Sequence, residues 1–126
     1  MRDHDLPILS NLFVGEGRIE SKRLIVEALK KLPEMPTAFI CAHDVIAYDL
    51  IHALSTKGLR CPEDVSIVGF DNVQTVEVQS LNLTTYFTPH TTIAQTTIDL
   101  LHSQEAPRRI QLFGELIERG SIRDIR

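Results

Sequence analysis

Apolar runs alternate with amphipathic helical patterns along nearly the whole chain, and this alternation constrains the fold more than any other feature. Thr37-Ala38-Phe39-Ile40-Cys41 and Val65-Ser66-Ile67-Val68-Gly69-Phe70 are close to continuously apolar, as strands buried on both faces of a parallel sheet must be. Leu83-Thr84-Thr85-Tyr86-Phe87 reads as a third strand, rich in β-branched and aromatic residues. Leu12-Phe13-Val14, ended by Gly15 and Gly17, reads as a shorter one. From residue 19 to 32, Leu24, Ile25, Ala28, Leu29 and Leu32 recur at helical spacing, and Lys22, Arg23, Glu27, Lys30 and Lys31 supply the wet face. Pro33 and Pro36 close that helix. A second helix is predicted from Asp44 to Lys57 on Val45, Ile46, Ala47, Leu50, Ile51, Ala53 and Leu54, with Gly58 where a C-cap glycine belongs. A weaker one is predicted over residues 91–103, and residues 110–113 and 115–119 predict one or two terminal strands. The expectation is an α/β fold, a parallel sheet with helices on both faces joined by right-handed crossovers.

The 126 residues fit one ordinary domain. With 43% hydrophobic and 24% charged residues, the chain has the composition of a globular protein rather than a disordered one. No apolar run approaches the roughly 20 residues of a membrane-spanning helix, so no membrane partner is expected. The opening residues Met1 to Pro7 lack the apolar core of a secretory signal, so a cytoplasmic location is expected. Cys41 and Cys61 are too few for a disulfide scaffold and read as small buried or half-buried residues.

The formal charge of −4 is unevenly spread. Residues 1–35 hold six basic and six acidic side chains; residues 36–105 hold only Lys57 and Arg60 against eight acids; residues 106–126 hold five Arg against three acids. Nucleic-acid affinity rests largely on Lys and Arg neutralising phosphates, so the acidic middle argues against DNA binding by these residues. The short basic tail, with acids interspersed, reads as a solvated surface.

Ligands of open parallel sheets bind outside the carboxyl ends of the strands. That rule selects Ala42-His43-Asp44, Phe70-Asp71-Asn72 and Thr88-Pro89-His90, whose donors and acceptors suit hydroxyl-rich ligands. Asp44 has a competing reading as the N-cap of the helix it opens. Asp71 follows its strand directly, with no strong helical pattern after it. Other motifs fail. Gly15-Glu16-Gly17 begins like a dinucleotide fingerprint, but Glu20 stands in the third glycine position. Phosphate-loop and nucleophile-elbow patterns are absent, Cys41, His43 and Cys61 lack the paired spacing of zinc ligands, and His43-Asp44 has no evident nucleophile. Catalysis, a metal or a cofactor is therefore not expected.

At Pro36-Thr37-Ala38-Phe39-Ile40-Cys41-Ala42-His43-Asp44-Val45-Ile46-Ala47 the chain resembles the LacI/GalR family of bacterial transcription regulators. The similarity continues through Lys57-Gly58-Leu59-Arg60-Cys61-Pro62-Glu63-Asp64-Val65-Ser66-Ile67-Val68-Gly69-Phe70-Asp71-Asn72, resumes at Leu83-Thr84-Thr85 and ends at Leu116-Ile117-Glu118-Arg119-Gly120-Ser121. The resemblance implies a periplasmic-binding-protein-like (type I) core of two α/β subdomains with a small effector, a sugar above all, in the cleft between them. It also implies a homodimer, and operator DNA contacted only through an N-terminal helix-turn-helix domain that is missing here. By correspondence, residues 1–82 are most of an incomplete C-terminal subdomain, lacking its first strand and helix. Residues 83–126 are a crossover strand, a helix and returning terminal strands. Asp71 matches the acid that often hydrogen-bonds effector hydroxyls, with Asp44 nearby. His43 falls where an effector-contacting Asn is common, Thr88 where Gln is frequent, and Gly17 where an aromatic side chain often packs on the ligand. Tyr48 and Ile51 lie where family dimers pack, although their spacing also suits a contact within the subunit core. A sheet without its middle strand has open edges, so self-association or low stability of the chain by itself is expected. Two other readings stand beside this one: a solute-binding component of a sugar transporter, and a nucleotide-dependent α/β enzyme resting on Gly15 and Gly17.

Overall fold

The computed structural model describes residues 18–75, 80–103, 106 and 108–124. The Leu12–Val14 strand and the effector candidate Gly17 lie outside the described residues. The elements, in chain order, are α1 (Arg18–Lys31), β1 (Ala38–Ile40), α2 (Asp44–Ser55), β2 (Ser66–Phe70), β3 (Thr84–Phe87), α3 (His90–His102) and β4 (Glu115–Ile117).

The four strands form one sheet in the order β1-β2-β3-β4. β1 and β2 pair in parallel with Phe39 opposite Ile67, and β2 and β3 pair in parallel with Gly69 opposite Thr85. β4 runs antiparallel to β3, with Leu116 opposite Tyr86. The sheet is therefore mostly parallel, and the departure is the short terminal strand. Among the described residues one terminal strand forms: residues 110–113 do not join the sheet, and Ile110, Leu112 and Phe113 are exposed.

The apolar stripes predicted for the first two helices point into the core. Ile25 and Leu29 of α1 meet Ala47, Leu50, Ala53 and Leu54 of α2, and that layer closes over Val65, Ile67 and Leu83. Burying each such Leu, Ile or Val fully contributes roughly 1.5–3 kcal/mol relative to leaving it wet. α2 stops at Ser55. The chain then turns through Gly58, whose φ of +78° is the left-handed conformation that favours glycine. α3 differs from the other two helices: none of its residues is buried.

The sheet's parallel strands all finish on the same side. β1, β2 and β3 end at Ile40, Phe70 and Phe87, and there the chain leaves the sheet through His43, Asp71 and Thr88.

Candidate functional site

Three side chains meet beyond the carboxyl ends of the strands. His43 Nδ1 lies 2.7 Å from Asp71 Oδ2. The Thr88 hydroxyl points at the other oxygen, Oδ1, from 3.4 Å, a weak hydrogen bond at that length. The His43 side chain is 62% exposed and that of Asp71 22%, so the carboxylate faces outward but is partly sheltered. Beside it, the Phe70 and Tyr86 rings stack with centroids 5.1 Å apart. Together these groups offer two carboxylate acceptors, a hydroxyl and an imidazole nitrogen whose role depends on its tautomer. That combination suits a small ligand carrying several hydroxyls.

Backbone geometry aims the carboxylate. Asp71 has φ +94° and Asn72 φ +51°, two successive residues in the left-handed region that side chains disfavour. Hydrogen bonds hold the turn from several sides. The Asp71 amide donates to Tyr86 O at 2.9 Å, the Asn72 amide to Thr85 Oγ1 at 3.3 Å and the Val73 amide to Asp44 Oδ2 at 2.8 Å. From the far end of the chain, Arg119 Nη2 donates to Asn72 Oδ1 at 2.8 Å.

Asp44 stands elsewhere than the sequence suggested. The N-cap of α2 is His43, in extended conformation and with no capping bond from its ring, which is turned to Asp71 instead. Asp44 is the first helical residue and is fully buried. Its Oδ1 accepts from Thr85 Oγ1 at 2.6 Å and its Oδ2 from the Val73 amide. The carboxylate therefore supports the site from behind rather than opening onto it. It also lies near Cys41: burial first, and the Asp44 charge second, push that thiol up to about 12.

The structure thus brings His43, Asp71 and Thr88 together and sets Asp44 beneath them. Tyr48 and Ile51 are half-buried and pack against the core, with the Lys22 ammonium 5.9 Å from the Tyr48 ring centre. Sequence reasoning assigned no role to Thr85 or Arg119. Thr85 lies within a strand that reads as core, and Arg119 lies in a matched stretch that carried no chemistry of its own. Among the described residues, no three His, Cys, Asp or Glu side chains gather as metal ligands would.

A mostly parallel sheet with a polar cluster past its strand ends is the layout of α/β domains that bind small ligands. The particular family follows from the sequence: the profile of the periplasmic binding protein-like domain matches residues 1–122, and the chain belongs to that family. Its relatives there are regulators of the LacI/GalR kind. The chain is 32% identical over 120 residues to the HTH-type transcriptional repressor PurR of Vibrio cholerae serotype O1 (strain M66-2), covering 90% of this chain and 36% of that protein. It superposes with a TM-score of 0.79 and 29% identity on the LacI family transcriptional regulator CCPA of Weissella paramesenteroides with bound sucrose, over 99% of this chain and 47% of that one. The same regulator with bound glucose gives a TM-score of 0.76 and 31% identity, over 98% and 46%. The chain thus spans roughly a third of the curated relatives and under half of the solved ones. Among the described residues, no helix is long and apolar enough to cross a membrane.

Proposed function

We propose that this chain is the effector-sensing part of a bacterial LacI-type transcription regulator, and that its effector is a small polyhydroxylated molecule of the sugar class. One observation carries the reading: the Asp71 carboxylate is held outward by a constrained turn at the strand ends, between the His43 imidazole and the Thr88 hydroxyl. Sugar hydroxyls pair with such acceptors and donors, and the Weissella regulator, similar over nearly the whole of this chain, is known with sucrose and with glucose bound. Asp71 anchors the effector, His43 and Thr88 flank it, and Asp44 positions them. Gly17, placed by resemblance only, belongs to the same site.

In this reading, residues 1–82 form most of one subdomain, and residues 83–126 supply the connection to a second and the returning strand. The effector binds in the cleft and biases the relative orientation of the subdomains. Operator contact belongs to a helix-turn-helix outside these residues, coupled to the cleft as one of two linked sites. The regulator acts as a cytoplasmic homodimer packed partly through α2, with Tyr48 and Ile51 at the contact, and it performs no catalysis.

The test is calorimetric titration of the intact regulator, as wild type and as Asp71→Ala, with glucose, sucrose and ribose. Saturable binding of a sugar that weakens at least about tenfold in the variant is expected, the scale of losing a hydrogen bond to a charged group. Wild-type and variant affinities that coincide would remove Asp71 from the site.

A further inference from the structure

Arg119 follows β4, and its side chain reaches across to the turn that carries Asp71. Its guanidinium donates twice, from Nη2 to Asn72 Oδ1 at 2.8 Å and from Nη1 to Leu83 O at 2.7 Å. Its backbone amide donates to Thr84 Oγ1 at 2.9 Å. The segment bearing it is stitched down. The buried Ser121 hydroxyl donates to Ile67 O at 2.6 Å and accepts from the Thr84 amide at 2.8 Å, the Ile67 amide donates to Ser121 O at 2.8 Å, and the Gly120 amide donates to Asn82 O at 2.9 Å. Arg119 is therefore a rigid strut between β3 and the Asp71–Asn72 turn. Two successive residues at positive φ persist only where their surroundings over-determine them. A planar guanidinium meets two acceptors at a fixed spacing, which a lysine ammonium on a flexible stem does not reproduce.

We propose that Arg119 is a positioning residue for the effector site. By clamping Asn72 it fixes the turn that aims Asp71, so that effector affinity depends on the docked terminal segment. This rests on the reading of Asp71 as the anchor, but its first half, the clamp, stands without it. Arg119 acts through Asn72, since its hydrogen bonds go to Asn72 and Leu83 rather than to Asp71.

The experiment compares wild type, Arg119→Lys, Asn72→Gly and the double variant. Asn72→Gly removes the acceptor and takes a positive φ without strain, so it tests the same link if Arg119→Lys fails to fold. NMR reads amide exchange at Asn72 and Val73, the scalar couplings that report φ at residues 71 and 72, and cross-relaxation between the His43 ring and the Asp71 β-protons. Calorimetry reads glucose and sucrose affinity. Each single variant is expected to speed exchange at Asn72 and Val73 by about tenfold and to weaken the His43–Asp71 cross-peaks. Sugar affinity should fall by about tenfold. The double variant should be no worse than either single one, as for two ends of one link. Unchanged exchange, couplings and cross-peaks in the variants would overturn the clamp. A loosened turn with undiminished sugar affinity would overturn the positioning role. If wild type binds neither sugar, the effector reading fails on its own account, and the NMR readouts still decide the clamp.

Discussion

Asp44 opens α2 with a fully buried carboxylate, and both of its oxygens are occupied, one by the Thr85 hydroxyl and one by the Val73 amide. Removing the carboxylate leaves the buried Thr85 hydroxyl and the part-buried Val73 amide without their acceptor, and an unsatisfied buried group costs about 1–3 kcal/mol. Asp44→Ala is therefore expected to lower the unfolding free energy by about 2–4 kcal/mol, read from urea denaturation. A change under about 0.5 kcal/mol would mean that water takes the place of the lost partner. The space around this carboxylate is also fixed by a glycine. A Cβ built on Gly69 collides with Asp44 Oδ1 and lies 2.8 Å from Leu83 Cδ2. Gly69→Ala must displace Asp44 Oδ1 from the Thr85 hydroxyl and shift Leu83 in the core, at an expected cost of about 1–3 kcal/mol. If that variant unfolds at the same urea concentration as wild type, Asp44 has room to move and its hold on Thr85 and Val73 is looser than the distances suggest. Cys41 lies in the same neighbourhood, with its thiol held neutral by burial. It should resist alkylating reagents at neutral pH until the chain is unfolded, whereas modification at the rate of a free thiol would contradict its burial.

Between α2 and β2 the chain makes a loop tied by one ion pair, and this pair gives the fold a measurable acid dependence. Arg60 Nε and Nη2 donate to the two oxygens of Asp64 at 2.9 and 3.1 Å, and the Arg60 amide adds a third bond at 2.9 Å. These donors hold the Asp64 carboxyl at about 2, below its ordinary value of 3.8. A carboxyl depressed in the folded state stabilises the fold above its unfolded value and loses that contribution as pH falls through the folded one. The melting temperature of wild type should thus fall more steeply than that of Asp64→Asn between about pH 4 and pH 2, and run parallel to it above about pH 5. Parallel curves through the acid range would show the pair open in solution. Elements like this loop's neighbours were legible in the sequence because their periodicity reflects burial. α1, α2 and the three parallel strands fall within a few residues of their predicted spans, since a buried face leaves a period of 3.6 or a continuous apolar run. Residues 110–113 carried a strand-like pattern without becoming a strand, because a strand also needs a partner edge and composition does not announce one. For the candidate site, the strand-end rule singled out Asp71, His43 and Thr88, and the structure brings these three side chains together. The supports behind them were hidden, since Thr85 meets Asp44 across 41 residues and Arg119 meets Asn72 across 47. Nothing local marks contacts of that span.

The surface of the molecule is two-sided in its chemistry. The layer of α1 and α2 over the sheet is packed, whereas α3 and the segment that follows it present apolar side chains to water. Leu101 is 78% and Phe113 76% exposed, with Ile98, Ile110, Leu112 and Leu116 alongside in sequence. On β1, Ile40 is 73% exposed. Large apolar side chains exposed this often along one helix and the segment after it are of the kind that another surface covers. Under the proposed reading, the remainder of the regulator provides the cover. The 126-residue chain by itself is then expected to associate, with light scattering on a sizing column giving a mass above the 14.2 kDa of one chain and rising with concentration. The driving force would be apolar burial rather than charge, because the net charge of −4 opposes association. Raising the salt should therefore strengthen association, by screening that repulsion while the apolar term stays intact. A pair of charged replacements, Leu101→Glu with Phe113→Glu, should return the chain to monomer at low salt while leaving it folded, since neither side chain is part of the core. A single species of 14.2 kDa at every concentration would show that these exposed side chains do not drive association. Association that survives the double replacement would move the contact to β1, an edge strand among the described residues, where strand pairing rather than helix packing would hold it.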